Sequence, residues 1–454
     1  MADVRALHVP QLSRPLPSGW YWARLDDVAQ VFDCPHSTPD LTDSGPFVVR
    51  SQDIRSGVFR RDGCARVSES TYRERVARAE PQWGDLLYSR EGTYFGIAAE
   101  VPADVQVCLG QRMVLIRPNS KVINHRILRF WLNSPAMAAH VHGFRDGSVA
   151  ERLNLPTIRA LAILVPSRAE QNAMAECLGA LDDKIELNRR MNQTLETMAQ
   201  ALFRSWFVDF DPVRAKAAGR QPEGMGPETA ALFPCRFVDS ELGPIPEGWR
   251  IMPLGESCAA IFSGGTPSTR EQRFWGGKVP WLSSGETRHS FIIETEKTIT
   301  EEAITGSSTR LARSGSTVIA SAGQGHTRGQ TSFLAFDSYI NQSVVAVVAD
   351  PAVSSDLFVF HDLARRYEQF RRLSDSHSSR GSLTTKLLAD LKVIIPPRDL
   401  ITAFDRATEP LVEQNISNLR QSVTISRLRD LLLPKLLSGE IRVREAEAQL
   451  AATA

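Results

Sequence analysis

One property constrains this chain before any other: it contains the same landmarks twice, in the same order and at nearly the same spacing. Pro15-Leu-Pro-Ser-Gly-Trp20 is answered by Pro244-Ile-Pro-Glu-Gly-Trp249, with Gly19 and Gly248 standing 229 positions apart. Leu109-Gly-Gln-Arg112 is answered by Ile340-Asn-Gln-Ser343, and Gln111 and Gln342 are 231 apart. Ile-Leu-Val-Pro ending at Pro166 is answered by Val-Ile-Ile-Pro ending at Pro396, 230 apart. Self-similarity at a fixed period marks a repeated structural unit. The 454 residues, too many for one ordinary core, are therefore read as two copies of a unit about 230 residues long.

Each copy begins strand-like. Short apolar and β-branched runs such as 85–89, 113–116, 317–321 and 343–348 are separated by Gly, Pro and Ser turns. Each copy ends helical. Residues 169–207 contain no proline, and Leu178, Leu181, Ile185, Asn188, Asn192, Leu195, Ala199, Leu202 and Trp206 alternate steps of three and four, the seam of a coiled coil. The second copy carries Val412, Ile416, Leu419 and Val423 in a helix starting near Asp399, where Pro410 is expected to impose a kink. A long helix after each unit predicts an antiparallel pair, with Asn188 and Asn192 setting its register at a cost in stability. Trp206 is expected to close the end of the pair against a globular domain, and Leu431, Leu432, Leu433, Leu436 and Leu437 exceed one helix face and predict a partner-facing apolar patch. Residues 212–243, rich in Gly and Pro, read as a linker.

Function classes fall away by what is missing. Lys plus Arg is 53 and Asp plus Glu 52, so no global field steers the chain to nucleic acid and any such surface must be local. The longest apolar runs fall far short of the roughly 18 residues of a membrane span. Residues 1–19 hold three prolines and no apolar core of a signal peptide, so no membrane and a cytoplasmic location are expected. Six scattered cysteines form no C-x-x-C pair, and no metal ligand set appears beside His140 and His142. The single Gly-Lys pair, Gly277-Lys278, is followed by Val279 and builds no phosphate loop, and no Gly-x-Ser-x-Gly elbow exists. The single Pro-Pro, Pro396-Pro397, reads as a strand end rather than as part of an adenine-methyltransferase motif, and no nuclease-type acidic-x-Lys follows Pro39-Asp40. No catalytic residue is assigned; the chain is expected not to be an enzyme.

With its two β-rich units and two long helices, the chain resembles the specificity subunit of Type I restriction-modification systems. The residues that carry the likeness are Gly84-Asp-Leu-Leu-Tyr-Ser-Arg-Glu-Gly-Thr93, the Gln111 and Gln342 landmarks, Leu202-Phe-Arg-Ser-Trp-Phe-Val-Asp-Phe-Asp-Pro-Val213, Pro244–Trp249 and Leu428-Arg-Asp-Leu-Leu-Leu-Pro-Lys-Leu-Leu-Ser-Gly-Glu440, spanning about 15 to 443. The resemblance implies an α+β fold of two β-rich target-recognition domains, each followed by a long α-helix, the helices packed as an antiparallel coiled coil with pseudo-twofold symmetry. The expected divisions are an extension 1–14, recognition domain 15–167, helix 168–211, linker 212–243, recognition domain 244–397, helix 398–443 and tail 444–454. It further implies an asymmetric bipartite site on double-stranded DNA, methyltransferase (M) subunits and a restriction (R) subunit as partners, and no cofactor in this chain, with S-adenosylmethionine, ATP and magnesium on the partners. The alternative is a degenerate or orphan subunit acting as a non-catalytic protein scaffold.

Base readout needs Arg, Gln, Asn, Ser and Thr on loops that can enter the major groove. In copy one Arg50, Ser51, Gln52, Arg90, Glu91, Thr93 and Tyr94 follow predicted strands; in copy two Ser283, Ser284, Glu286, Ser321, Gln324, His326, Thr327 and Arg328 do so. Arg145, Arg152, Ser379 and Arg380 are candidate phosphate contacts. Taken singly, each also reads as a turn or solvated side chain. Gln111 and Gln342 recur in both copies, so they are expected to brace the fold or touch phosphate rather than read a base.

Overall fold

In the computed structural model the described residues are 9–10, 15–55, 57–92, 94–143, 152–323, 326–377 and 382–443. They divide into two compact units: Met1–Ile185 with Val423–Ala454, and Glu186–Ser422. Each unit thus takes part of each long helix, so the first unit is assembled from two separate stretches of chain around the second. This is the direct consequence of antiparallel pairing.

The first unit is built on a four-stranded antiparallel sheet in the order Ala29–Asp33, Met113–Pro118, Leu86–Ser89, Ala98–Glu100. Beside it lies a three-stranded sheet in which Thr42–Val49 runs parallel to Val107–Leu109. Tyr21–Arg24 pairs antiparallel with Ala162–Val165, tying the start of the domain to its end. The second unit repeats the plan: Cys258–Ser263, Val344–Ala349, Thr317–Ala320 and Thr331–Leu334 stand in the same order, Trp275–Leu282 runs parallel to Ser338–Ile340, and Arg250–Pro253 pairs with Lys392–Ile395. Leu86–Ser89 is buried along its whole length and Val344–Ala349 at every residue but Val348, as in sheets covered on both faces.

Helices inside the domains went unpredicted. His125–Leu132, Pro135–His142 and Asp356–Ala364 are each capped by a side chain, Asn124, Ser134 and Ser355, that accepts from a backbone N–H of the first turn. The signals were present in the sequence but short, and the helices pack their apolar faces into the domain cores.

The long helices are Arg168–Phe207 and Arg398–Leu437, each 40 residues. At 1.5 Å per residue each is about 60 Å long. Each starts just past a strand-ending proline. The first ends where Phe210 adopts the left-handed conformation (φ 55°), the second at Gly439 (φ 69°), whose N–H reaches back to the Leu436 carbonyl while Glu440 N–H reaches Lys435. Pro410 lies inside the second helix without ending it; only one i→i−4 bond is forfeited.

In the second unit the helix pair is sealed by amides rather than by aliphatic side chains alone. Asn188 Nδ2 donates to the Asn418 carbonyl (3.3 Å), Gln421 Oε1 (2.9 Å) and Ser422 Oγ (3.2 Å). Asn418 Nδ2 donates to Asn192 Oδ1 (2.8 Å), and Asn192 and Asn415 each donate to the other's carbonyl. Asn188 and Asn418 are 230 residues apart, as are Asn192 and Ser422, so the two cross-helix contacts are copies of each other about a local twofold. In the first unit Leu178 meets Leu432, Leu433, Leu436 and Leu437 in one core. That corrects the expected partner-facing patch: of those C-terminal leucines only Leu431 is exposed, because the other four cover the domain's own helices.

Trp206 is buried and packs edge-on against Phe207, Phe233 and Phe404, closing the helix end as expected. Phe233 comes from the predicted linker, which is more structured than its glycines and prolines suggested. It holds helices Asp211–Ala217 and Pro227–Ala231, buries Val213 and Phe233, and is clasped by Lys216, whose ammonium donates to the carbonyls of Ala230 and Phe233. Among the described residues no helix is long and apolar enough to cross a membrane.

Candidate nucleic-acid interface

Both units place their post-strand loops on one shared hydrogen-bond frame. In the first, Arg90 N–H donates to Arg112 O (3.0 Å), Leu153 N–H to Arg90 O (2.9 Å) and Gly110 N–H to Val49 O (2.8 Å). In the second, Ser321 N–H donates to Ser343 O (2.9 Å), Leu383 N–H to Ser321 O (2.8 Å) and Asn341 N–H to Leu282 O (3.0 Å). The recurring glutamines fasten the frame. Gln111 Nε2 donates to the His36 carbonyl at 2.9 Å, and Gln342 accepts from the hydroxyl of Thr266, the residue that matches His36. Both therefore brace, the first of the two roles expected of them.

A second shared device stiffens the loop after the parallel strand. Arg50 N–H donates to the buried Asp53 carboxylate (2.8 Å), and Ser283 N–H to the buried Glu286 carboxylate (2.8 Å), each closing one short 3-10 turn. Glu286 also accepts from Ser283 Oγ and Glu296 N–H. Its oxygens are thus engaged inside the loop.

The frame gathers many of the sequence-predicted residues. In the first unit Glu91 bridges Arg152 through its backbone and pairs with Arg112 at 3.2 Å, Arg90 pairs with Asp33 at 3.1 Å, and Arg55 lies 5.0 Å over the Tyr94 ring. Ser51 faces Gly92, while Gln52 and Arg152 are exposed. Arg112 and Arg55 were not singled out from sequence; the signal for Arg112 is its place beside Gln111, at a positive φ of 69° that turns its side chain out of the strand. In the second unit Ser283, Ser284 and Ser321 lie on the frame, with Ser321 buried. His326, Thr327 and Arg328 lie farther along the loop, against helix Tyr367–His377: Tyr367 Oη donates to the His326 carbonyl (2.9 Å), and Arg328 pairs with Asp375. Thr93, Arg145, Gln324, Ser379 and Arg380 fall outside the described residues. Among the described residues no group of three or more His, Cys, Asp or Glu side chains is placed to hold a metal ion.

The frame is common, but what it carries is not. Arg90-Glu91, ion-paired with Asp33 and Arg112, occupies the place of Ser321-Ala322. Two domains of one architecture present different donor and acceptor sets at the same loops.

The profile of the Type I restriction modification DNA specificity domain matches residues 17–197 and again 246–400, together more than half of the chain. The specificity subunit of Type I restriction enzyme HindI from Haemophilus influenzae is 27% identical over 406 residues, covering 79% of this chain and 86% of that one. The MjaIX specificity subunit of Methanocaldococcus jannaschii is 26% identical over 449 residues, 95% of each chain. A crystal structure of a Type I restriction-modification S subunit from M. genitalium covers 94% of this chain and 98% of its own at a TM-score of 0.59 and 15% identity, a likeness of fold. Repeat, helix pair and family profile coincide, each counted twice along the sequence, and the chain belongs to the family of Type I restriction-modification specificity subunits.

Proposed function

We propose that this subunit reads an asymmetric, bipartite sequence on double-stranded DNA, one half-site per recognition unit, and holds adenine-methyltransferase (M) subunits and an endonuclease (R) subunit around it. The observation that carries this reading is the shared loop frame bearing different side chains in the two units. A fixed frame gives both domains one approach to the duplex; unlike loops give each its own base preference. The chain itself performs no bond chemistry in this scheme. S-adenosylmethionine, ATP and magnesium belong to the partners.

Near-zero net charge is consistent with this division, since phosphate neutralisation can be shared with the partner subunits. The test is a map of N6-methyladenine across the genome of the source cell, with and without this chain. Loss of one bipartite motif with unlike halves is the expected result. Identical maps would overturn the reading and leave a silent subunit or a protein scaffold.

A further inference from the structure

The repeat allows a position-by-position comparison of how each recognition domain is seated on its stretch of helix, and the two seats differ in kind. In the first unit Arg129, buried on helix His125–Leu132, donates to Asp182 Oδ2 on the long helix (2.6 Å) and pairs with Glu100 at the end of its strand (3.0 Å). Asp182 Oδ1 accepts in turn from Arg429 of the second long helix (2.7 Å). Four charges, two of each sign, thus join a strand, a short helix and both long helices. Beside them opens a cleft of about 480 Å³, lined by Phe95, Asn133, His142 and Leu433 among others.

The second unit has none of these charges at the matching places. Leu86 pairs with Glu100 where Thr317 pairs with Phe333, so Phe333 replaces Glu100. Arg129 is the fifth residue after the cap Asn124, and Phe360 the fifth after the cap Ser355. Asp182 and Val412 each stand 14 residues after the start of their helix, and Arg429 and Ala199 each 31. The replacements form an apolar cluster: Phe291, Phe333 and Phe360 have centroids 5.4 to 5.9 Å apart and pack with Val412. The cavity between Phe360 and Val412 is about 10 Å³, and a second of about 280 Å³ opens on the outer side of Phe291, away from the long-helix contact at Val412.

We propose that the first recognition domain rides on a hydrated electrostatic joint, Glu100–Arg129–Asp182–Arg429, that lets it re-seat on its helices, while the second is fixed by an aromatic joint. Ion pairs that line an open cleft are reached by solvent and salt along one side and can exchange partners there at less cost than fully enclosed ones; an apolar cluster has no such exchange and loosens only by opening a void. The first unit is then the adaptive half of the molecule and the second the rigid reference. The consequence does not depend on what the domains bind.

Hydrogen–deuterium exchange on the full chain tests this at about 0.05 M and 0.5 M sodium chloride, on either side of a screening length of about 10 Å. Exchange in 98–100 and 125–132 is expected to accelerate about three- to tenfold with salt, the scale of one or two screened pairs, while 331–334 stays unchanged; 356–364 is no control, because Asp356 in its first turn pairs with the half-exposed Arg313. The second copy supplies the variant that removes the effect: Glu100→Phe, Arg129→Phe, Asp182→Val and Arg429→Ala together should make the first unit as salt-indifferent as the second. Equal salt response of the two units in the unmodified chain, or a response that survives in the variant, would overturn the proposal; the first comparison needs no variant to fold.

Discussion

His361 shows how a single residue can be set against its surroundings by duplication. It sits buried between Phe203, Phe360 and Phe404, with no hydrogen-bond partner for its Nε2, and burial alone pushes its pKa down from 6.5 to about 4. A histidine whose folded pKa lies below its unfolded one contributes full stability above about pH 6.5 and progressively less as pH falls toward 4, because the unfolded chain takes up the proton first. The loss over that window is up to about 3 kcal/mol. The matching residue of the first copy is Phe130, also buried, so the site has been filled by an aromatic hydrocarbon once already. His361→Phe is therefore expected to fold, to leave the melting temperature at pH 8 nearly unchanged and to raise it at pH 5. Melting curves of the full chain at both values check this; an unchanged pH dependence would show that His361 is not the titrating group.

At the scale of elements, the long helices were legible because a seam repeating every three and four residues survives any context, and the strand-like runs of each copy could be named, whereas their order in the sheets could not. The short capped helices were not, because one turn or two of apolar residues carries no resolvable period. Copy-two seam positions show the same limit: Val412 is buried as expected, but Asn415 and Asn418 face the partner helix while Ile416 and Leu419 pack toward Phe291, Phe333 and Phe360. A stripe read from sequence cannot distinguish the helix partner from the domain behind it. The amides themselves are kept at a cost, since Oδ1 of Asn188 and of Asn415 has no partner. Such a network specifies register more than it stabilises. Asn418→Leu alone should cost about 1–3 kcal/mol, because Asn192 Oδ1 loses its donor inside the seam. Replacing Asn188, Asn192, Asn415 and Asn418 together with Leu should recover that loss, since the amides that then lose a partner, Gln414 and Gln421, are exposed to water. Thermal melts of the two variants decide it: additive losses would mean the amides hold the helices together rather than align them.

For the whole molecule, the proposed base-facing surface was legible only as a set of loops. Arg50, Ser283 and Ser321 follow strands and could be listed, whereas the engagement of Glu286 within its own turn and of Arg328 with Asp375 depends on contacts between distant segments. The spacing between the proposed half-sites, in contrast, is expected to follow helix length and to be open to change without touching those loops. Because 188–192 lie against 415–422, a heptad inserted in one helix alone would slide Asn188 and Asn192 away from Asn415 and Asn418 and break the seam. A matched heptad in both helices, outside the asparagine block, preserves every cross-helix pair and adds about 10 Å to each helix. At about 3.4 Å per base pair, the unread gap of the methylated motif should lengthen by about three base pairs while both half-sites keep their bases. Methylation mapping in cells carrying the lengthened chain reads both quantities at once. An altered half-site would place specificity in the helices, and an unchanged gap would mean that the partners, not the helix pair, set the distance.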